Sequence, residues 1–164
     1  TAADVIIVSM HAGIEYTRHP SQTQIDFAHA AIDAGADVVI GHHPHWIQDV
    51  EVYSPPREEG LGEVNSSLPP LDGEGKGGEN EFHKGLIFYS LGNFIFDQMW
   101  SQETREGLMV RFEFRGSELQ SAELIPVVID NYCCPRLADE KETQTILQKI
   151  NQDSTLIEPK IPKQ

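Results

Sequence analysis

The sequence predicts an α/β fold in which a parallel strand–helix–strand unit is followed by mostly antiparallel strands. Three observations carry this. Val5-Ile6-Ile7-Val8 and Val38-Val39-Ile40 are short continuous apolar runs, as expected of strands buried on both faces. Between them, Ile25, Ala28 and Ile32 recur at helical spacing. Further on, Leu108, Val110, Phe112 and Phe114 alternate with Met109, Arg111, Glu113 and Arg115, the pattern of a half-buried strand.

Each element has its own punctuation. Met10-His11-Ala12-Gly13 reads as a loop after the first strand. Ser21 with Gln24 three residues on forms a capping box that starts the helix, and Gly35 ends it. The crossover of such a unit is right-handed and its strands parallel, so both C-terminal strand ends lie on one edge of the sheet. α/β proteins place their ligands along that edge. Ile47–Tyr53 and Gly85–Leu91 read as further strands. Gly116-Ser117 suits a two-residue hairpin turn between the alternating strand and a partner over Leu119–Ile129. Asp139 with Glu142 caps a last helix carrying Ile146, Leu147 and Ile150. Phe94, Ile95 and Phe96 read as core.

Residues 54–84 differ in character. They hold six glycines, four prolines and seven acids against three basic residues, too little apolar surface to order the stretch. The expected organisation is therefore one domain built from 1–53 and 85–151, a flexible polar insertion at 54–84 and a tail at 152–164. Thr1 in place of methionine, and a strand within a few residues of it, read as a chain cut from a longer one.

Bulk charge narrows the partners. Twenty-six acids against 12 basic residues give a net charge of −14, which argues against a sequence-independent grip on nucleic acid and against docking on anionic lipid. A phosphate-bearing substrate stays compatible, because a bound dication inverts the local field. No run of 18 apolar residues marks a membrane span. Cys133 and Cys134 are adjacent and read as free, partly buried thiols.

The strongest chemical signal is Val38-Val39-Ile40-Gly41-His42-His43-Pro44-His45, three imidazoles within four positions after a strand. Neutral imidazole is a good ligand for first-row divalent metals. Pro44 favours an extended His43, which would turn His43 and His45 to one side and His42 to the other. His11 leaves the preceding strand on the same sheet edge. His19, His29 and His83 read as incidental.

These residues carry a family resemblance. Val8-Ser9-Met10-His11-Ala12-Gly13-Ile14-Glu15-Tyr16 resembles the H-x-G-x-E-Y segment of the CapA family of capsule and poly-γ-glutamate biosynthesis proteins. Ala34–His45 is similar to its GADVVIGHHPH signature, and Tyr89–Gln98 to its YSLGNFIFDQ segment. Pro126-Val127 and Pro135-Arg136-Leu137 resemble its C-terminal pattern. The resemblance covers roughly 4–53 and 85–150; the 54–84 stretch departs from it.

The resemblance implies the C-terminal half of a four-layer α/β/β/α sandwich, similar to the calcineurin-like metallophosphoesterases, with a two-metal site at the strand ends. It implies His11 and His43 as ligands of one divalent ion (Mn, Fe, Zn or Mg) and His45 of the other, with the remaining ligands in a preceding half. His45, His42 and Glu15 are then candidate catalytic side chains. Asn93, and Asp97 beside it, lie in a loop near the site, Asn93 as a substrate contact or a turn residue. Glu15 supports a ligand, meets substrate or simply faces solvent; His42 contacts substrate or a backbone carbonyl. Two readings follow. The first is a metal-dependent hydrolase of a phosphoester or anionic polymer, inactive as this segment alone. The second is a non-catalytic scaffold working with capsule or poly-γ-glutamate synthase components. A closed zinc module is weaker, since it wants four ligands. The resemblance implies an extracytoplasmic place at the bacterial envelope, although nothing in this segment itself reports location.

Overall fold

A computed structural model of the chain describes residues 3–54 and 84–150. The 54–84 insertion and the 152–164 tail fall almost wholly outside those residues. Among them the chain forms β1 (Ile7–His11), α1 (Gln22–Asp33), β2 (Val38–His42), β3 (Val50–Tyr53), β4 (Gly85–Phe88), β5 (Glu106–Arg115), β6 (Glu118–Asp130), β7 (Cys134–Leu137) and α2 (Glu140–Gln148).

One sheet has the order β1-β2-β4-β3, with β1, β2 and β4 parallel and β3 antiparallel to β4. The second is the antiparallel set β5-β6-β7. The β1-α1-β2 unit is thus the parallel crossover that its sequence predicts. Ser21 caps α1, accepting from the Gln24 amide while the Gln24 side chain accepts from the Ser21 N–H. Asp139 and Glu142 build the same box at α2.

Two buried clusters lie on opposite faces of the first sheet. Met10, Val39, Ile87 and Tyr89 pack with Ala28 and Ile32 of α1. Val38, Leu86 and Phe88 point the other way, onto Leu108 of β5 and Ala122, Leu124 and Val128 of β6. Alternation along β2 and β4 (38 against 39, 86 against 87) sends successive side chains into the two cores, so Val38–Ile40 and Leu86–Phe88 are apolar on both faces. Ile146 and Ile150 join the inter-sheet core.

Several expectations shift. β1 begins at Ile7 and runs through His11, and Ile6 and Ile7 are 43% and 49% exposed. Among the described residues β1 is an edge strand, so it lacks the two-sided burial its composition suggests. The strand expected over Ile47–Tyr53 is regular only from Val50; Ile47 makes a single bridge to Leu91, beyond the end of β4. The chain also places β4 between β2 and β3, a crossover hidden by the long excursion between them. Cys133 and Cys134 are both exposed, because they leave a tight turn whose Asn131 and Tyr132 have positive φ.

Candidate metal centre

β1 and β2 end together. Their register pairs His11 with His42, so the two parallel strands deliver both residues to one edge and one face of the sheet. His42 is therefore a neighbour of His11 and not turned away from it. Burial first, then the adjacent His11 imidazole, lowers the pKa of His42 below its ordinary value. Both effects favour a neutral ring.

The loop that follows is not extended. His43 has φ 101° and His45 φ 62°, both in the left-handed region. Two backbone bonds override the local preference set by Pro44: Ala12 N–H donates to the His42 carbonyl (3.2 Å) and Tyr16 N–H to the Pro44 carbonyl (2.8 Å). These bonds clamp the 11–16 segment against 42–45. Tyr16 is itself at φ 59°. Among the described residues, three of the five non-glycine positions with positive φ thus sit in this one corner. Such strain costs of order 1–3 kcal/mol per residue and collects at functional sites.

The turn achieves the convergence that an extended strand was expected to give. The His11 and His43 ring centroids are 5.0 Å apart, and those of His43 and His45 are 6.2 Å apart. Imidazoles sharing one ion, with metal–nitrogen bonds near 2 Å, hold their centroids about 5 Å apart. The first pair fits a common ion; His45 stands further off. Among the described residues no group of three or more His, Cys, Asp or Glu side chains is close enough to enclose an ion. The donors are of the right chemical type, but the described residues by themselves do not enclose an ion.

Two glycines make the corner possible. A Cβ on Gly41 would lie 2.0 Å from the Tyr89 carbonyl oxygen, so the step from β2 into the histidine loop passes directly over the 88–90 backbone. Gly13 has φ 121° and lies against the Gln24 side chain, which also donates to Gln48 in the buried floor beneath.

His45 is held on several sides. Its Nδ1 is 2.9 Å from Asn93 Oδ1. Asn93, 5% exposed, donates from Nδ2 to the Thr104 carbonyl (2.9 Å) and to Gln98 Oε1 (3.3 Å). Gln98 donates onward to the Tyr16 hydroxyl (3.0 Å). Tyr16 stacks on the His45 ring, Trp100 meets Tyr16 edge-on, and Phe96 tilts against His45 at 5.0 Å. Asn93 was expected as a substrate contact or turn residue; its amide is engaged on both ends by the protein. Gln98, Tyr16 and Thr104 were not singled out as site residues. Gln98 and Tyr16 do stand at the ends of two of the motifs, which was the available signal.

Phe94, Ile95 and Phe96 are not core. They are 44%, 66% and 39% exposed and, with Trp100, form an apolar rim beside His45. Hydrophobicity alone could not separate a rim from a core, because no periodicity runs through this loop. Glu15 and Asp97 are exposed, and Glu15 makes no hydrogen bond or ion pair with the other described residues. His19 and His29 lie elsewhere, bound to Asp49 and Glu51. His83 is outside the described residues.

This chain belongs to the bacterial capsule synthesis protein PGA_cap family, whose model matches residues 1–98. Among curated proteins it is 33% identical over 153 residues to the PGA biosynthesis protein CapA of Bacillus subtilis, covering 93% of this chain and 32% of that protein. It is 29% identical over 153 residues to the capsule biosynthesis protein CapA of Bacillus anthracis, covering 93% and 30%. A probable polyglutamine synthesis accessory protein of Mycobacterium tuberculosis is 38% identical over 104 residues, or 58% of this chain and 26% of that one. The chain spans about a third of the length of the curated relatives it matches. All three histidine positions lie inside the matched 1–98.

Proposed function

We propose that this segment supplies the histidine side of a divalent-metal hydrolase site in a protein of capsule or poly-γ-glutamate biosynthesis. The observation that carries the reading is the convergence of His11 and His43, with His45 beside them, on a backbone strained at both loop histidines.

On this reading 1–53 and 85–151 are the C-terminal half of a four-layer α/β/β/α sandwich. The α1-sheet-sheet layering supports it. Residues 54–84 are an insertion and 152–164 a tail. His11 and His43 hold one ion and His45 a second, with further ligands from the rest of the protein. When bound, a divalent cation supplies Lewis-acid polarisation of a phosphoryl or amide carbonyl oxygen. His42, kept neutral by burial and by His11, is placed to accept a proton at the same edge. Glu15, exposed beside the site, meets the substrate. The substrate class is a phosphoester or an anionic polymer, and the protein works with synthase components at the cell envelope. Among the described residues no helix is long and apolar enough to cross a membrane.

A scaffold reading has its own support. Phe94, Ile95, Phe96 and Trp100 form an exposed apolar rim, and a relative is named as an accessory protein of synthesis. A phosphodiester assay separates the two. The full-length protein with Mn2+ turns over, and His42→Ala loses 10²–10⁴-fold in kcat, as expected for a general base or acid. The 164-residue chain alone shows negligible turnover. Full-length protein loaded with metal yet inert towards phosphoesters and poly-γ-glutamate would favour the scaffold.

A further inference from the structure

We propose that Asn93 is a positioning residue that locks His45 as its Nδ1–H tautomer and so leaves Nε2 as the one nitrogen with a free lone pair. The functional consequence rests on the metal-site reading above; the lock itself does not.

The proton positions follow from a carbonyl that can only accept. Asn93 has one acceptor, Oδ1, and one donor group, Nδ2. Its amide lies 2.9 Å from the Thr104 backbone oxygen, and two oxygens at that distance would repel, so the end facing Thr104 is Nδ2. Oδ1 is thereby turned towards His45, 2.9 Å from Nδ1. A neutral imidazole carries one N–H, and facing an amide oxygen it is Nδ1 that carries it. The second Nδ2 contact, to Gln98 Oε1, agrees with this orientation.

The surroundings make the arrangement rigid. Asn93 is 5% exposed, so water cannot substitute for its partners freely. Its own backbone is pinned to the start of β5. Gly92 bridges Gly107, Leu108 N–H donates to the Leu91 carbonyl (2.8 Å), and the Asn93 carbonyl fills the space a Cβ on Gly107 would need. On the other side the stacked Tyr16 ring fixes the His45 plane, and Gln98 ties the Tyr16 hydroxyl to the same amide cluster. The second sheet thus orients a side chain that belongs to the loop after β2. Histidine free in water favours the opposite form, Nε2–H. Partners that fix the ring nitrogen not used for ligation typically change metal affinity 10–100-fold.

The test reads the tautomer directly. The full-length protein, 15N-labelled at histidine and stripped of metal with chelator, is examined by two-bond 1H–15N correlation at about pH 8.5, where an ordinary imidazole is neutral. His45→Gln identifies the His45 signals. The expected result is a protonated Nδ1 and an unprotonated Nε2 at His45. Asn93→Ala swings His45 to Nε2–H and weakens Zn2+ binding about 10–100-fold. Protonated Nε2 at His45 in the wild type overturns the proposal, whether or not any variant folds. So does an unchanged tautomer in a folded Asn93→Ala. A lock present in protein that takes up no Zn2+ upholds the positioning role and overturns the metal reading alone.

Discussion

His43 is the residue at which sequence and structure diverge most usefully. The rule for a residue before proline predicts an extended backbone, and the chain adopts φ 101° instead. The reason is non-local: bonds from Ala12 and Tyr16 fix the carbonyls on either side of His43, and no short-range rule contains them. The approach of His11 to the histidine loop was legible, because three imidazoles follow a strand end and the parallel topology brings His11 to the same edge. Their backbone was not, nor was the role of Asn93, whose partner lies 48 positions away. The strain makes a measurable claim. His43→Gly removes the left-handed penalty that His43→Ala keeps, so the glycine variant should be the more stable by about 1 kcal/mol in denaturant unfolding. Both variants should lose metal. Equal stability would mean that His43 relaxes to an ordinary backbone in solution.

At the scale of elements, the helices and the β5–β6 hairpin were readable from capping boxes, alternation and the Gly116 turn, since each signal is local. The placement of β4 between β2 and β3 was not, because strand order depends on contacts across the whole sheet. The end of the second sheet shows how elements are tied to one another. Arg136 of β7 bonds Asp130 at the end of β6 (2.7 Å) and both oxygens of Glu142 in the first turn of α2 (2.6 and 2.8 Å). The Arg136 hydrogen bonds hold the Glu142 carboxyl down to about 2, from an ordinary 4.5. A carboxylate whose pKa is lowered on folding adds stability above its unfolded pKa and loses it as pH falls through the folded one. Stability should therefore decline between about pH 4.5 and about pH 2 as Glu142 protonates. Arg136→Ala should cost about 1 kcal/mol at pH 7, as expected of a solvent-screened network, and should flatten that part of the acid profile. An acid profile identical in wild type and variant would show the network to be energetically silent.

For the molecule as a whole, the first sheet separates two cores, and the candidate site lies where the parallel strands β1 and β2 end. The polar excursion lies outside the described residues, but the strands that border it are informative. Tyr53 of β3 and Gly85 of β4 are direct antiparallel partners, so the chain leaves and re-enters the sheet at adjacent points. Replacing residues 55–83 with a short hairpin turn should preserve a single cooperative unfolding transition and change stability by no more than about 2 kcal/mol, the scale of the loop-closure term. Loss of cooperativity would show that the excursion belongs to the core. The fold class was legible because buried parallel strands and a half-buried hairpin leave different patterns. The sequence reads 94–96 as core where the structure has an exposed rim, because a hydrophobic loop at the surface and one inside a core have the same composition.

The proposed function requires imidazoles from two separate strand ends to serve one metal centre. Elemental analysis of the full-length protein, purified without added metal and compared with His11→Ala, His43→Ala and His45→Ala, tests it most directly. About two divalent ions per chain are expected in the wild type, as in two-metal hydrolase sites. Each substitution should lower that number while the protein stays folded. Wild-type protein free of metal after equilibration with Mn2+ and Zn2+, or three variants that keep the wild-type stoichiometry, would contradict the account.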